Sequence, residues 1–363
     1  MLKGAREEEG RNRREWSRPI AKILFGMEQN GIRVRSQAEL ESLLRQAFAN
    51  KATARILPKT ETSDPATKVR LETARRETRN RLRDAMQLLN QTQRICLEAD
   101  VPYTVIKSLD GVPDIGHDVD LLVGRNLSIV RSRLLKQFSC NADTLTFCDR
   151  HAGKFSTFIR GFASDFELYT RVSQLGEQYY PEESVLERRT ERNVEGSRTY
   201  VCSQEDKLLI TCIHTLYRHG KIRLSDLKVA YDALQSPLNM RLVLSTVEAA
   251  GIRPGFAVFL RILDRLGQEV LGDPLVRSEL RSYADKVLGK DKILELLVQQ
   301  TKPSFPLKVP IRLVALLFLY KAASDFAHSR IGSSLRSALA PVLLLIDKLV
   351  PLKLQKAISV RIW

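Results

Sequence analysis

The stretch Gly116-His117-Asp118-Val119-Asp120-Leu121-Leu122-Val123 is the most informative part of this 363-residue chain. Its apolar residues flank and separate two aspartates, a pattern that predicts a buried β-strand. Because alternate residues of a strand share a face, Asp118 and Asp120 are expected on the same side of a sheet. Neighbouring carboxylates repel each other unless a cation lies between them, and Mg²⁺ prefers oxygen ligands. The stretch therefore predicts a divalent-metal site.

A second stretch, Ser164-Asp165-Phe166-Glu167-Leu168-Tyr169, repeats this arrangement. It also reads as a short strand, so Asp165 and Glu167 are expected to share one face. If the two strands are neighbours, a third carboxylate completes a two-metal clamp of the kind used for in-line phosphoryl transfer. The sequence leaves open whether Asp165 or Glu167 is that third acid.

The pattern around these strands predicts an α+β fold. A small mixed sheet in an αβ core, residues 101–175, is preceded by a helical region at 17–100 and followed by a helical domain at 176–300. Residues 301–363 form apolar and basic C-terminal helices, and residues 1–16 are expected to be a disordered tail. The expected strands of this single sheet are residues 101–106, 118–123, 144–148, 154–160 and 164–169, with a helix at 127–138.

Two helix starts are marked by their capping residues. Ser36 and Glu39 have the spacing of a capping box, in which hydroxyl and carboxylate satisfy free amides of the first turn. Asp64 precedes Pro65, which suits the first helical turn, so a long helix is expected from there to about residue 99.

Composition and charge exclude several classes of protein. Hydrophobic residues make up 44% of the chain, which excludes a disordered or fibrous protein. No apolar run follows the basic N-terminus, and the longest uncharged stretch, Ser337–Ile346, is far shorter than the ~20 residues of a membrane-spanning helix. The formal charge of +16 predicts attraction to polyanions. A cytoplasmic protein is expected, with a peripheral membrane location as the alternative.

The cysteines do not indicate disulfides or zinc. Five widely spaced cysteines in a chain without an export signal are expected to be reduced. The spacing of Cys212, His214 and His219 fits no structural zinc pattern, so these residues are expected to be ordinary helix positions.

One more segment completes the motif. Val105-Ile106-Lys107-Ser108 reads as an apolar strand that ends in a lysine, ahead of the two aspartates. With this segment, the chain resembles the nucleotidyltransferase superfamily that has a DNA-polymerase-beta-like core, and it is similar in particular to the uncharacterised nucleotidyltransferase family. The residues that carry the resemblance lie within about 85–235 and are Lys107-Ser108, His117-Asp118-Val119-Asp120, Glu167-Leu168-Tyr169, Leu208-Leu209, His214 and Arg223-Leu224-Ser225-Asp226.

The resemblance implies roles for these positions. Asp118 and Asp120 would bind the Mg²⁺ ions, or Mn²⁺, that bridge a triphosphate. Glu167, or Asp165 beside it, would help to hold the catalytic metal and activate an acceptor hydroxyl. The phosphate and nucleotide contacts would come from Lys107, Ser108 and His117.

The chain departs from the family pattern at two positions. Ser108 stands where family members usually have glycine, which lets the backbone approach the phosphates. The third acid aligns as Glu167, although aspartate is more common there. Both departures fit a divergent enzyme, and both also fit a protein that has kept the fold without the activity.

The expected function is Mg²⁺-dependent transfer of a nucleoside monophosphate from an NTP such as ATP to an acceptor hydroxyl. The acceptor class, whether sugar phosphate, small molecule, protein or RNA, stays open. The alternatives are a non-catalytic binding protein of this fold and a toxin-like transferase that acts on RNA. The arginines of segment 75–83 lie around most of their helix, so a solvated surface is expected there, with nucleic-acid contact as the alternative. The C-terminal segment Leu335–Val350 is expected to pack on the core, with contact with an anionic membrane surface as the alternative.

Overall fold

The structure is a computed structural model that describes residues 15–28, 30–107, 118–139, 153–157, 159, 162, 165–174, 177–301 and 304–349. Almost all of the expected N-terminal tail and the whole expected strand 144–148 lie outside these residues, so neither prediction is tested. The described part of the chain is a mixed α+β fold with a multi-stranded sheet. The α+β expectation is therefore confirmed at the level of fold class.

Helices dominate the fold. They are α1 (15–24), α2 (Gln37–Ala49), α3 (Thr53–Ile56), α4 (Pro65–Glu98), α5 (Leu127–Gln137), α6 (Glu182–Glu187), α7 (Gln204–Ile213), α8 (Leu224–Gln235), α9 (Met240–Ala249), α10 (Arg253–Leu266), α11 (Ser278–Leu288), α12 (Lys292–Gln299), α13 (Ile311–Ala327) and α14 (Ile331–Leu349). A 3₁₀ turn at Leu57–Lys59 follows α3. Two π-helical segments, His214–His219 and Gly267–Leu271, directly continue α7 and α10.

The strands are β1 (Ile32–Arg33), β2 (Thr60–Glu61), β3 (Tyr103–Val105), β4 (Asp118–Val123), β5 (Lys154–Thr157), β6 (Asp165–Tyr169), β7 (Val172–Gln174), β8 (Glu177–Tyr180), β9 (Thr190–Val194), β10 (Ser197–Val201), β11 (Lys221–Ile222) and β12 (Leu307–Lys308). Six of them form one mixed sheet in the order β5-β6-β4-β3-β10-β9. The pairs β4–β6 and β3–β10 are parallel and the other three pairs are antiparallel. The remaining strands form three two-stranded sheets.

This sheet is larger than the sequence analysis predicts. The hairpin β9–β10 extends it with strands from a part of the chain that was expected to be helical, and β8 also lies there. The turn of the hairpin is Glu195-Gly196, where both residues have positive φ, 49° and 84°. Two successive positive φ angles are typical of the tight turns that join twisted antiparallel strands. The expectation of a single sheet confined to residues 101–170 is therefore wrong.

Both expected helix caps are present and are therefore confirmed. The Ser36 hydroxyl accepts a hydrogen bond from the Glu39 amide at 3.3 Å, while the Glu39 carboxylate accepts one from the amide of Arg35. The Asp64 carboxylate accepts from the Thr67 amide at 2.8 Å, and Pro65 is the first residue of α4. Each cap satisfies an amide that the helix itself leaves without a partner.

The two faces of the sheet pack against different bodies. Val119 and Leu121 of β4 belong to an apolar cluster with Leu88 and Leu89 of α4. Residues of the opposite face, including Leu122 and Tyr169, belong to a larger apolar core that contains the helices from α7 onward. Because alternate strand residues point to opposite faces, Asp120 shares the face of Leu122, and Glu167 shares the face of Tyr169. These two carboxylates therefore point toward the C-terminal helices.

None of the helices in the described part of the chain combines the length and the apolar character needed to cross a bilayer.

Candidate functional site

The acidic residues of β4 and β6 are brought together by strand pairing. The two strands are parallel neighbours, and their register sets Asp118 opposite Asp165 and Asp120 opposite Glu167. We call these four residues the acid face. The sequence analysis expects a third carboxylate beside Asp118 and Asp120 only if the two acidic strands are neighbours. The pairing of β4 with β6 shows that they are. The side chains of Asp118 and Asp165 lie outside the described part of the structure.

Asp120 is bound to a lysine from the end of the neighbouring strand. Its side chain is 3% exposed, and its Oδ1 lies 2.7 Å from the Nζ of Lys107, which directly follows Ile106 after β3. A buried carboxylate is costly without a cation nearby, and the ammonium group supplies one. Lys107, the lysine that ends the first strand of the sequence motif, therefore lies at the acid face, where its ammonium group forms an ion pair with Asp120.

The same ammonium group has two further neighbours. It donates a hydrogen bond to the Tyr169 hydroxyl at 3.0 Å and lies over the tyrosine ring, 4.4 Å from its centroid. It is also 3.3 Å from Nε2 of His214. Lys107 therefore links the acid face of the sheet to the helices that pack on it.

Glu167 is held by two different partners. Its Oε1 is 2.5 Å from the Nζ of Lys154, on the adjacent strand β5, and its Oε2 accepts a hydrogen bond of 2.6 Å from the Tyr169 hydroxyl. Burial raises the pKa of Tyr169 well above its ordinary value, with the carboxylates of Asp120 and Glu167 adding to the shift. The phenol therefore stays protonated and keeps donating to Glu167.

A π-helical segment brings two more basic residues to this face. His214 begins the segment, and Arg218, one turn later, donates from Nη1 to the Tyr169 hydroxyl at 3.0 Å. Burial and the ammonium group of Lys107 lower the pKa of His214 well below its ordinary value. A neutral His214 is able to accept a hydrogen bond from Lys107 through Nε2. Short π segments of this kind are frequent at functional sites.

Sequence reasoning missed Lys154 and Arg218 as parts of this site, and it treated His214 as an ordinary helix position. Lys154 lies on a strand that pairs antiparallel with β6, a pairing that depends on tertiary structure. Arg218 reaches the site because the helix widens at His214–His219. The sequence offers only a weak indication of these basic residues. Some of them follow Tyr169 along the chain, but at no fixed spacing that would predict a contact.

The positions assigned by the resemblance fall into three groups. Lys107, Asp120 and Glu167 meet in one described cluster. Asp118 and Asp165 are in register with it through their backbones. Ser108 and His117 lie outside the described residues, so their expected contacts with phosphate and nucleotide stay predictions.

The donor set of the acid face suits Mg²⁺ in kind. Carboxylate oxygens from directly opposed residues of adjacent strands are the ligands this ion prefers. Within the described ranges, no group of three or more His, Cys, Asp or Glu side chains is placed to hold a metal ion. Asp120 and Glu167 are the two described carboxylates of this face that could serve as ligands of such an ion.

Cys212 is fully buried. Burial raises the pKa of its thiol. His214 and His219 stack edge to face, with ring centroids 4.3 Å apart.

The space between the sheet and the helices is narrow here. A cavity of about 20 Å³ is lined by residues that include Lys107, Tyr169, His214 and Arg218. This volume suits one water molecule and not a nucleotide.

Comparison with known proteins adds no relative: neither a protein-family model, nor a curated protein, nor a solved structure matches this chain significantly.

Proposed function

We propose that this protein is a Mg²⁺-dependent nucleotidyltransferase that moves a nucleoside monophosphate from an NTP to an acceptor hydroxyl. The observation that carries the proposal is the register of β4 and β6, which sets Asp120 directly opposite Glu167 on neighbouring parallel strands. This pairing supports a two-carboxylate clamp, and the lysine that ends the preceding strand lies within ion-pair distance of it.

In this proposal Asp120, Glu167 and an acid at 118 or 165 hold the metal. When bound, Mg²⁺ neutralises charge on the triphosphate and on the leaving pyrophosphate. Lys107 and Lys154 balance the same carboxylates in its absence. Both lysines have long, flexible side chains, so their ammonium groups are able to move from carboxylate to phosphate when substrate enters.

The reaction is an in-line displacement at the α-phosphorus of the NTP. The acceptor oxygen forms a bond to this phosphorus as the bond to the bridging oxygen breaks and pyrophosphate leaves. The hydroxyl proton passes to a carboxylate oxygen of Glu167 or Asp165. Tyr169 holds Glu167 in place through its hydroxyl, to which Arg218 also donates, and Lys107 would stabilise the charge that develops on the phosphate oxygens.

Calorimetric binding of each of the four NTPs, with and without Mg²⁺, tests the proposal. We expect Mg²⁺-dependent binding by the wild type that weakens about tenfold or more in Asp120→Asn and in Glu167→Gln. The matched control is Glu191→Gln, an exposed acid on β9 at the far edge of the same sheet, which should bind as the wild type does. Binding that survives both substitutions, or that needs no divalent ion, contradicts the proposal.

A second candidate function is a non-catalytic binding protein that has kept this sheet. Two contacts favour it, since Asp120 and Glu167 each already have a lysine ammonium within 2.7 Å. Under this alternative the lysines permanently replace the metal. Release of pyrophosphate from an NTP during incubation with candidate acceptors separates the two: release that requires Asp120 supports the transferase, and NTP binding without Mg²⁺ or turnover supports the binding protein.

A further inference from the structure

Exposed apolar side chains are concentrated on the hairpin of helices α13 and α14. Among the described residues, fourteen large apolar side chains are exposed, and seven of them lie on this hairpin. They are Ile311, Leu319, Phe326, Ile331, Leu335, Leu339 and Val342. Single exposed apolar residues are common on proteins, but a concentration of them marks an interaction surface.

Four of these residues form a stripe along α14. Ile331, Leu335, Leu339 and Val342 are 69%, 62%, 50% and 55% exposed. Their spacing of four, four and three residues places them on one side of a helix. We call these four residues the apolar stripe.

The opposite side of α14 faces the protein, and it carries serines in its first turns and Ala340, a residue of the apolar core, further along. Ser333 and Ser337 are buried, and both hydroxyls donate to Oδ2 of Asp325, at 2.8 and 3.3 Å. The Ser333 hydroxyl shares its single proton between Asp325 and Glu177, whose other oxygen accepts from Nε of Arg336 at 3.1 Å. In its first turns the helix therefore buries serines and leaves larger apolar side chains exposed, whereas an ordinary surface helix buries its apolar side.

This orientation is fixed by a buried ionic group. Lys321 and Asp325 are 1% and 0% exposed and lie 2.8 Å apart, and the Lys321 ammonium is 3.5 Å from Glu177. We call Lys321, Asp325, Glu177, Ser333 and Ser337 the hairpin cluster. Turning α14 to bury its leucines would remove the serine hydroxyls from two buried carboxylates, at a considerable desolvation cost. The exposure of the apolar stripe is thus built into the fold.

The sequence of the hairpin and of the residues that follow it is strongly basic. Residues 311–363 contain eight Lys and Arg but only two Asp and Glu, which gives a formal charge of +6. One of the two acids, Asp325, is fully buried and paired with Arg330 as well as Lys321. A second copy of this chain would bring an equally basic surface to the stripe, whereas an anionic surface complements it.

We propose that α14 binds the surface of an anionic lipid bilayer, lying in the plane of the interface with the apolar stripe inserted among the headgroups. A helix with one apolar side and basic residues around it is the usual structure for such binding. Anionic lipids attract Lys and Arg near the surface, and the basic C-terminal residues follow α14 directly. This location is independent of the nucleotidyl transfer proposed above.

Sedimentation of the full chain with lipid vesicles tests the proposal. Phosphatidylcholine vesicles with about 30% phosphatidylglycerol are compared with vesicles of phosphatidylcholine alone. We expect binding to the anionic vesicles that weakens as salt is raised, and a loss of about tenfold or more in the Leu335→Gln/Leu339→Gln double variant. The control is Val69→Gln/Leu97→Gln on α4, where the side chains are 70% and 66% exposed, and it should bind as the wild type does.

Three results would overturn the proposal. The first is a wild type that does not sediment with anionic vesicles, and the second is a stripe variant that sediments as well as the wild type. The third is a dimer in solution, seen by analytical ultracentrifugation, that the stripe variant dissociates; it would assign the stripe to a second copy of the chain. Since all four substituted side chains are exposed, circular dichroism should show unchanged helix content in both variants.

Discussion

The acid face and the hairpin cluster both bury carboxylates with lysines, but they satisfy these carboxylates differently. In the hairpin cluster, Asp325 is paired with Lys321 and Arg330 and also accepts from two serine hydroxyls. At the acid face, the carboxylates of Asp120 and Glu167 each form an ion pair with a lysine, Lys107 and Lys154 respectively. Serine hydroxyls and a short-range lysine hold the hairpin carboxylate in a fixed arrangement, whereas a lysine on a long side chain is able to move from a carboxylate to another charged group.

The largest effect is expected in the hairpin cluster. Asp325→Ala should lower the free energy of unfolding by about 3–5 kcal/mol, because Lys321 stays buried without its nearest carboxylate. Urea denaturation followed by circular dichroism measures this change. Glu279→Ala, at an exposed position of α11, is the control and should stay within about 0.5 kcal/mol of the wild type. A loss below about 1 kcal/mol for Asp325→Ala would show that the cluster does not stabilise the fold.

A smaller loss of stability is expected at the acid face. Asp120→Asn should cost about 1–2 kcal/mol, since Lys107 keeps its hydrogen bond to the Tyr169 hydroxyl. Excess MgCl₂ should raise the melting temperature of the wild type and not that of the variant, because an ion that binds only the folded state stabilises it. Equal stabilisation of both proteins by Mg²⁺ would place the ion elsewhere.

The pH dependence gives a third, weaker contrast. The pKa of His214 is lowered in the folded state by burial and by Lys107, so the unfolded chain takes up a proton first as the pH falls. The stability of the wild type should therefore decrease as the pH falls through about 6.5, the ordinary pKa of histidine. His214→Gln should lose less stability than the wild type between about pH 7 and about pH 5.

Urea denaturation at each pH measures this difference. The exposed His328, at the end of α13, supplies the control substitution His328→Gln, which should follow the wild type. If His214→Gln and the wild type show the same pH dependence, His214 does not titrate with folding.

The smallest effect is expected on the apolar stripe. Leu335→Gln should change the free energy of unfolding by less than about 0.5 kcal/mol, because the side chain is exposed and contributes little to the core. Leu317→Ala, at a fully buried position of the same hairpin, should cost about 2–5 kcal/mol. A large destabilisation by Leu335→Gln in urea denaturation would mean that the stripe is covered in the folded protein.

Local features of the sequence predict the fold well. The strand Asp118–Val123 has the predicted bounds, and the strand at 164–169 differs from β6 by one residue. The caps at Ser36 and Asp64 mark the starts of α2 and α4, because a cap depends on residues three positions apart. The hairpin β9–β10 was missed because it has few apolar residues in alternation, and only its Glu195-Gly196 turn indicates it.

The candidate site is only partly readable in this way. The acids can be predicted because they alternate with apolar residues within each strand. Lys107 can be predicted because it directly follows an apolar strand. Lys154, His214 and Arg218 join them through strand pairing, helix packing and a π-helical turn, none of which leaves a periodic pattern. The exposure of the apolar stripe on α14 cannot be predicted from the sequence either, because it depends on hydrogen bonds from Ser333 to acids of other elements.

The sequence separation of these contacts sets an order of assembly. Lys107 is 62 residues from Tyr169 and 107 residues from His214, whereas Asp325 is 4 residues from Lys321 and 8 from Ser333. Because closing long loops costs entropy, we expect the acid face to assemble after the local contacts of the hairpin of α13 and α14. Contacts that form late are absent from the folding transition state, so their loss accelerates unfolding and leaves the folding rate almost unchanged. Damage to the acid face therefore shortens the lifetime of the native protein.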